Sequence, residues 1–346
     1  MLDSAPSHSK QWYEIDYAKA IAILLVIIGH FEPGYSPYWW MCVLNVIYSF
    51  HMPLFMFASG FLYIAASRKG KYLDFLRRKF IRLMIPYFAT SVIVITIKLL
   101  TQDSVTIGQP VTFYNFVSMF YSPSAGLFLW FIWALWWMFV IVPLFKSKKA
   151  RTILFLASIA VACLPLKAPH IFCLNRAQEM FVYFMFGVMV YDYKGVVAKF
   201  AGLPLWVYWA PFIIIEYIVL REPWLMIKYA LPYLGIIAIL SLSRYILNSG
   251  QFKVKDFLFK IAYYSYGLYL FHHTFMRMAK AIVEKLPFEI NPDGISFVIF
   301  GLFTIICGLI FPILLYRHIF LKSKITRFIF GIASPPPVLG TGALSR

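Results

Sequence analysis

A chain of 346 residues that is 62% hydrophobic and 13% charged, with a mean hydropathy of +0.76, has too little polar surface to fold as a water-soluble globule. A formal charge of +18 would point to nucleic acid in a soluble protein, but here the 32 Lys and Arg cluster in alternate loops between apolar runs, so no nucleic-acid partner is expected. Cys42, Cys163, Cys173 and Cys307 show no CxxC or Cys/His spacing, which argues against a disulfide framework and against a metal site.

Apolar runs close to the ~20 residues needed to span a bilayer fall near 15–31, 45–66, 80–99, 127–145, 152–166, 178–192, 204–220, 224–242, 259–276 and 296–320. They predict an all-α, polytopic membrane helix bundle of about ten transmembrane helices. The run at 152–166 is short and the join after 220 is tight, so the count can shift by one or two. With the N-terminus inside, 23 of the 32 cations fall in cytoplasmic segments and six in the opposite loops, while Lys19, Lys98 and Lys228 lie within spans. That asymmetry places both termini in the cytoplasm. The first thirteen residues are polar and no small-residue cleavage site follows the first run, so that run is expected to remain as a span. Residues 1–333 read as a single membrane domain, and 334–346, with Pro335-Pro336-Pro337 and several Gly, as a disordered tail.

The first run carries Asp16, Lys19 and His30. An ionised side chain at the centre of a bilayer costs roughly 2.5–3.5 kcal/mol even on the lenient insertion scale, so such residues mark functional sites. Lys19 and His30 are eleven positions apart, close to three helical turns, and therefore share a face about 16 Å apart along the axis. The second run places His51 beside Pro53, which removes a backbone donor and frees a carbonyl nearby. The ninth aligns Ser265, Tyr269 and His272 on one face. Imidazoles thus gather towards the outer half of the membrane, with Lys19 and the basic stretch 77–82 at the inner edge. Arg forks and Lys charges suit a phosphorylated cytosolic molecule, and histidine is the side chain best poised to take a proton from an attacking hydroxyl. His272 and His273 are read as an interfacial cap on an aromatic helix, and Glu179 and Glu216 as solvated groups.

These residues resemble acyltransferase family 3, the integral-membrane O-acyltransferases. The basic residue, ten positions, then histidine of Lys19 to His30 looks like that family's signature, in a wording similar to its fucose 4-O-acetylase branch. The likeness continues through His51-Met52-Pro53-Leu54-Phe55 with Ser59-Gly60, Arg82-Leu83-Met84-Ile85-Pro86-Tyr87, Leu129-Trp130-Phe131 and the stretch from Ser265 to His272. The resemblance implies a cell-membrane enzyme, bacterial inner or plasma membrane, that moves an acyl group, most often acetyl, from cytosolic acyl-CoA to a hydroxyl of a glycan or lipid-linked sugar. It implies His30 as the catalytic base with Lys19 as its basic partner. His51 is a second catalytic candidate, since His51, Ser59 or Ser265 could accept the acyl group. Lys79-x-x-Arg82 matches the family's Arg-x-x-Arg with Lys replacing the first Arg, so Lys19, Lys79 and Arg82 are the expected holders of acetyl-CoA, which is a substrate rather than a resident cofactor. The competing reading is a transporter or flippase of a sugar or lipid-linked intermediate, in which the same charges would form a proton relay. Consumption of acetyl-CoA by the purified protein separates the two.

Overall fold

The computed structural model describes residues 12–66, 70–103, 110–164, 167–200, 202–287 and 290–332. The expected tail at 334–346 and three of the loop cations, Lys10, Arg68 and Lys69, lie outside the described residues.

The described chain is all-α. Its thirteen α-helices are α1 (Tyr13–Gly29), α2 (Tyr38–Ala65), α3 (Tyr72–Thr101), α4 (Asn115–Ser118), α5 (Trp130–Ile141), α6 (Lys148–Cys163), α7 (Leu174–Asp192), α8 (Lys194–Val197), α9 (Leu205–Arg221), α10 (Leu231–Asn248), α11 (Phe252–Glu284), α12 (Ile295–Leu315) and α13 (Lys324–Ile329). Each of the ten apolar runs falls on a helix. Five stretches are long and apolar enough to cross a membrane: Tyr38–Ala65, Tyr72–Thr101, Leu127–Leu144, Met226–Asn248 and Ile295–Phe320. Single 3₁₀ or π turns lengthen α5, α10 and α12 to these bounds.

Several helices outrun their apolar segments. α2 begins at Tyr38 rather than 45, α3 at Tyr72 rather than 80, and α11 runs from Phe252 to Glu284 rather than over 259–276. A helix satisfies its own backbone, so it continues through an interface where charged side chains reach water, well beyond the ~20 residues that hydrocarbon demands. This extension puts Lys79 on the same helix as Arg82, one turn earlier on α3.

α1 is the bundle's axis. Ile15, Tyr17, Ala18, Ala20, Ala22, Ile23, Val26 and Ile27 are all buried and surround the helix, the pattern of a core element rather than a one-faced one. It packs against α2, α10 and α11, while α2 lies along α7 and α11 along α12. At the α2–α7 crossing the backbones touch through Gly60 and Gly187. α6 and α9 are peripheral; the buried residues of α6 are Leu154 and Ser158, and those of α9 are Phe212 and Glu216. Two bidentate ion pairs join distant segments at the basic end: Arg244 to Glu14, at 2.9 Å for both bonds, and Arg151 to Asp192, at 2.7 and 2.9 Å.

Candidate active site

A partly open cavity of about 1220 Å³ occupies the basic end of the bundle, and its walls include Lys19 of α1, Ser59 of α2, Lys79 and Arg82 of α3, and Ser265 of α11. The three residues that the sequence assigned to acyl-donor binding thus line one space. Its volume exceeds the ~300–1,000 Å³ usual for small-molecule sites. Lys71, Arg78, Lys146 and Arg151 add further positive charge to the walls, and Asp192, paired with Arg151, is the acidic residue among them.

The cations are held in different ways. Lys19 sits 3.6 Å from Asp16 one turn earlier on α1, with about a quarter of its side chain exposed. Lys79 places its ammonium over the Phe139 ring at 4.1 Å, with Phe75 at 5.6 Å. Aromatic faces attract a cation without neutralising it, and these two rings hold the Lys79 ammonium at the cavity wall. Arg82 makes no ion pair among the described residues, and its carbonyl accepts from the Tyr266 hydroxyl at 3.2 Å, which ties α3 to α11.

Moving along the bundle from this cavity, a layer of aromatic rings follows. Phe55, Phe131 and Tyr269 each stand four residues from a cavity-lining residue, Ser59, Leu135 and Ser265 respectively, and all three lie on the side away from the basic end. Their rings touch, with centroids 5.9 Å apart for Phe55 and Phe131 and 5.7 Å for Phe131 and Tyr269. The Tyr269 hydroxyl donates to Phe128 O at 2.5 Å.

Beyond that layer the imidazoles gather. His30 ends α1, and its Nδ1 lies 2.8 Å from Val26 O. Its ring meets His272 of α11 edge-on, with centroids 4.9 Å apart, and His273 at 5.5 Å. His273 in turn stacks on Phe128 at 4.9 Å. His51 is buried on α2 with Nδ1 2.8 Å from Ile47 O, and its ring packs against Tyr48 at 5.1 Å. A carbonyl only accepts, so His30 and His51 both carry hydrogen on Nδ1 and leave Nε2 as the bare, basic nitrogen. The Tyr48 hydroxyl lies 2.8 Å from Gly29 O and 2.5 Å from Glu32 Oε1, sharing its one hydrogen between them and fixing the chain that leaves His30.

Several placements differ from the sequence reading. His272 is no interfacial cap: it is fully buried against His30. His51 does not take the carbonyl that Pro53 frees, that of Ser49, but bonds one turn earlier to Ile47. Glu216 is not solvated; it is 5% exposed and hydrogen-bonds the Ser49 hydroxyl, which also reaches Val46 O at 2.8 Å. Glu179 does remain at the surface, paired with Arg176 at 3.0 Å. His272 and Glu216 had signals in the sequence, as polar residues on apolar helices, but phasing alone named no partner for either.

Comparison with known proteins gives the family. The acyltransferase 3 family, described as an acyltransferase domain, matches residues 12–317. The chain belongs to that family. Among curated proteins it is 28% identical over 152 residues to "Nodulation protein NolL" of Mesorhizobium japonicum, covering 42% of this chain and 39% of that protein. It is 24% identical over 212 residues to the protein of the same name in Sinorhizobium fredii, covering 56% of this chain and 54% of that one. The chain therefore spans about half or less of the curated relatives it matches. No solved structure matches it at a significant level. The motifs singled out in the sequence, from Lys19 to His272, all fall inside the matched region.

Proposed function

We propose that this member of acyltransferase family 3 is a cell-membrane O-acyltransferase that moves an acyl group, most often acetyl, from cytosolic acyl-CoA to a hydroxyl of a cell-surface glycan or lipid-linked sugar. The observation that carries the reading is the single basic cavity shared by Lys19, Lys79 and Arg82, with His30 three turns further along the same helix as Lys19.

In this scheme the cavity cations hold the phosphates of the donor, and the pantetheine arm extends along the bundle through the Phe55, Phe131 and Tyr269 layer towards the imidazoles. His30 Nε2 takes the proton from the acceptor hydroxyl as its oxygen attacks the thioester carbonyl. The new C–O ester bond forms, the C–S bond breaks, and the proton passes from the imidazolium to the departing thiolate. His51, with its own bare Nε2, stands as a second base or as acceptor of the acyl group in a two-step transfer.

Binding tests the donor site directly. Lys19→Ala and Arg82→Ala should each weaken acetyl-CoA binding by about 10- to 100-fold in titrations of the protein in lipid nanodiscs, because each removes a charge-assisted contact worth roughly 1.5–3 kcal/mol. Lys19→Arg should retain most of the affinity. Unchanged affinity in both alanine variants would move the donor site elsewhere.

The orientation follows from the cation asymmetry: ten spans, both termini and the basic cavity on the cytoplasmic side, and residues 31–44 outside. An impermeant thiol reagent applied to intact cells, after removal of the other native cysteines, should label Cys42 and not a cysteine introduced at Ser67, a position outside the described residues. The reverse pattern would invert the bundle and put the cavity on the wrong side for a cytosolic donor.

A further inference from the structure

His30 does not meet His272 in an arbitrary orientation. The His272 ring lies so that Nδ1 is 2.8 Å from Leu268 O and 3.0 Å from Tyr269 O, while Nε2 is 3.4 Å from His30 Nδ1. Because carbonyls only accept, the hydrogen of neutral His272 must sit on Nδ1, and its Nε2 carries a lone pair. His30 Nδ1, bound by the same argument to carry its own hydrogen for Val26 O, points that hydrogen between the carbonyl and the His272 lone pair. The ring is wholly buried beside Phe128 and Tyr269 and has no acidic partner among the described residues, so a single hydrogen on Nδ1 meets every contact it makes. The proton inventory thus closes with two neutral imidazoles, donor His30 and acceptor His272.

We propose that His272 is a positioning residue for His30, a neutral imidazole that accepts from His30 Nδ1–H and stabilises the charge on His30 when its Nε2 takes a proton. In hydrolytic triads a carboxylate occupies the corresponding place and holds the base in the required tautomer. Here the acceptor is uncharged. Once His30 is an imidazolium, its Nδ1–H becomes a charge-assisted donor and the bond to His272 strengthens. The contact is therefore worth more after proton transfer than before, which is the condition for lowering a barrier. A neutral partner also avoids placing a permanent carboxylate in an aromatic, apolar layer, where its desolvation would be costly. His273, by contrast, offers no hydrogen bond to His30 and stacks on Phe128.

Two neighbours make the arrangement rigid. The Tyr269 hydroxyl is anchored on Phe128 O, and Phe128 packs against both His272 and His273. The α11 backbone that presents His272 is thus clamped to the turn before α5, and the α1 end is held by Tyr48 on Gly29 O. These ties hold the backbones that carry the two imidazoles, and the rings' own bonds to Val26 O, Leu268 O and Tyr269 O set their orientation.

This inference rests on the reading of His30 as the base, and the experiment separates the two. Three variants, His30→Ala, His272→Phe and His272→Gln, are compared at equal membrane abundance for O-acylation of the native glycan in a complemented deletion strain, with acetyl-CoA affinity measured in nanodiscs. His272→Phe keeps the ring and removes the acceptor, so acylation should fall about 10- to 100-fold with acetyl-CoA affinity unchanged. His272→Gln returns an amide oxygen near the lost Nε2 and should recover a substantial part of the rate. In parallel, nitrogen-15 NMR of the histidine-labelled wild-type protein in nanodiscs should show His272 neutral with hydrogen on Nδ1. An inactive His30→Ala beside a fully active His272→Phe would overturn this inference and leave the base assignment standing. Equal losses in the Phe and Gln variants, or hydrogen on His272 Nε2 in the wild type, would also overturn it. An active His30→Ala would remove the base itself.

Discussion

Replacing His30 by alanine should reduce acyl transfer by about 10²–10⁴-fold, the usual worth of a positioned general base, while leaving the protein folded and inserted. The structure explains both halves of that expectation. His30 lies at the last turn of α1, after the buried stretch that builds the core, and its ring meets His272 and His273, so its truncation leaves the core contacts of that stretch in place. Its Nδ1 is committed to Val26 O and His272, which leaves Nε2 as the nitrogen able to accept a proton. A hydroxyl is a poor nucleophile until it is relieved of its proton, and His30 is the histidine that shares α1 with the cavity-lining cation Lys19. O-acylation of the native glycan, followed in a deletion strain complemented with the variant at equal membrane abundance, measures the effect. Acylation at the wild-type level would remove His30 from the mechanism.

The helices were legible because the bilayer imposes one rule on the whole chain: a long apolar run must satisfy its own backbone, and only a helix does so within one segment. What the runs could not give was where each helix ends. The excess at the start of α3 is made of Leu73, Phe75 and the charged residues between and after them, which suit an interface and escape a hydropathy window. The basic cavity was readable in part from charge, since the cation clusters that alternate along the chain put Lys19, Lys79 and Arg82 at one end of their helices. The imidazole layer was only half readable. Periodicity puts His272 on the face of Ser265 and Tyr269, but the residue that this face meets, His30, lies 242 positions earlier in the chain. Glu216 is the same case: its partner Ser49 is 167 positions away, so a buried carboxyl looked like a solvated one. Side-chain pairing between helices depends on which helices are neighbours, and binary patterning on a single helix does not carry that information.

The largest effect on the fold itself should come from Gly60 and Gly187, whose need for glycine also depends on a distant partner. A Cβ at Gly60 would lie 2.0 Å from Phe184 O, and one at Gly187 would lie 2.0 Å from Phe57 O. The obstacle in both cases is backbone, not a side chain that can turn aside, so α2 and α7 would have to separate along their whole crossing. In a bilayer there is little hydrophobic force to draw them together again, because lipid replaces the lost neighbour; close approach through small residues is what holds such helices. Gly60→Val or Gly187→Val should therefore cost at least the ~1–3 kcal/mol of an overpacked core. The damage would also reach the site, because α2 carries both Ser59 on the cavity wall and His51 in the imidazole layer, and α7 ends at Asp192, which holds Arg151. Gly34→Ala serves as the control, since a Cβ there meets nothing within 4 Å. Thermal unfolding of the purified proteins in detergent should show both valine variants melting well below wild type, with aggregates on size exclusion, and the control melting with wild type. If Gly187→Val melted at the wild-type temperature and ran as a monodisperse species, the α2–α7 crossing would not have the backbone contact described, and the placement of His51 and Ser59 relative to the cavity would fall with it.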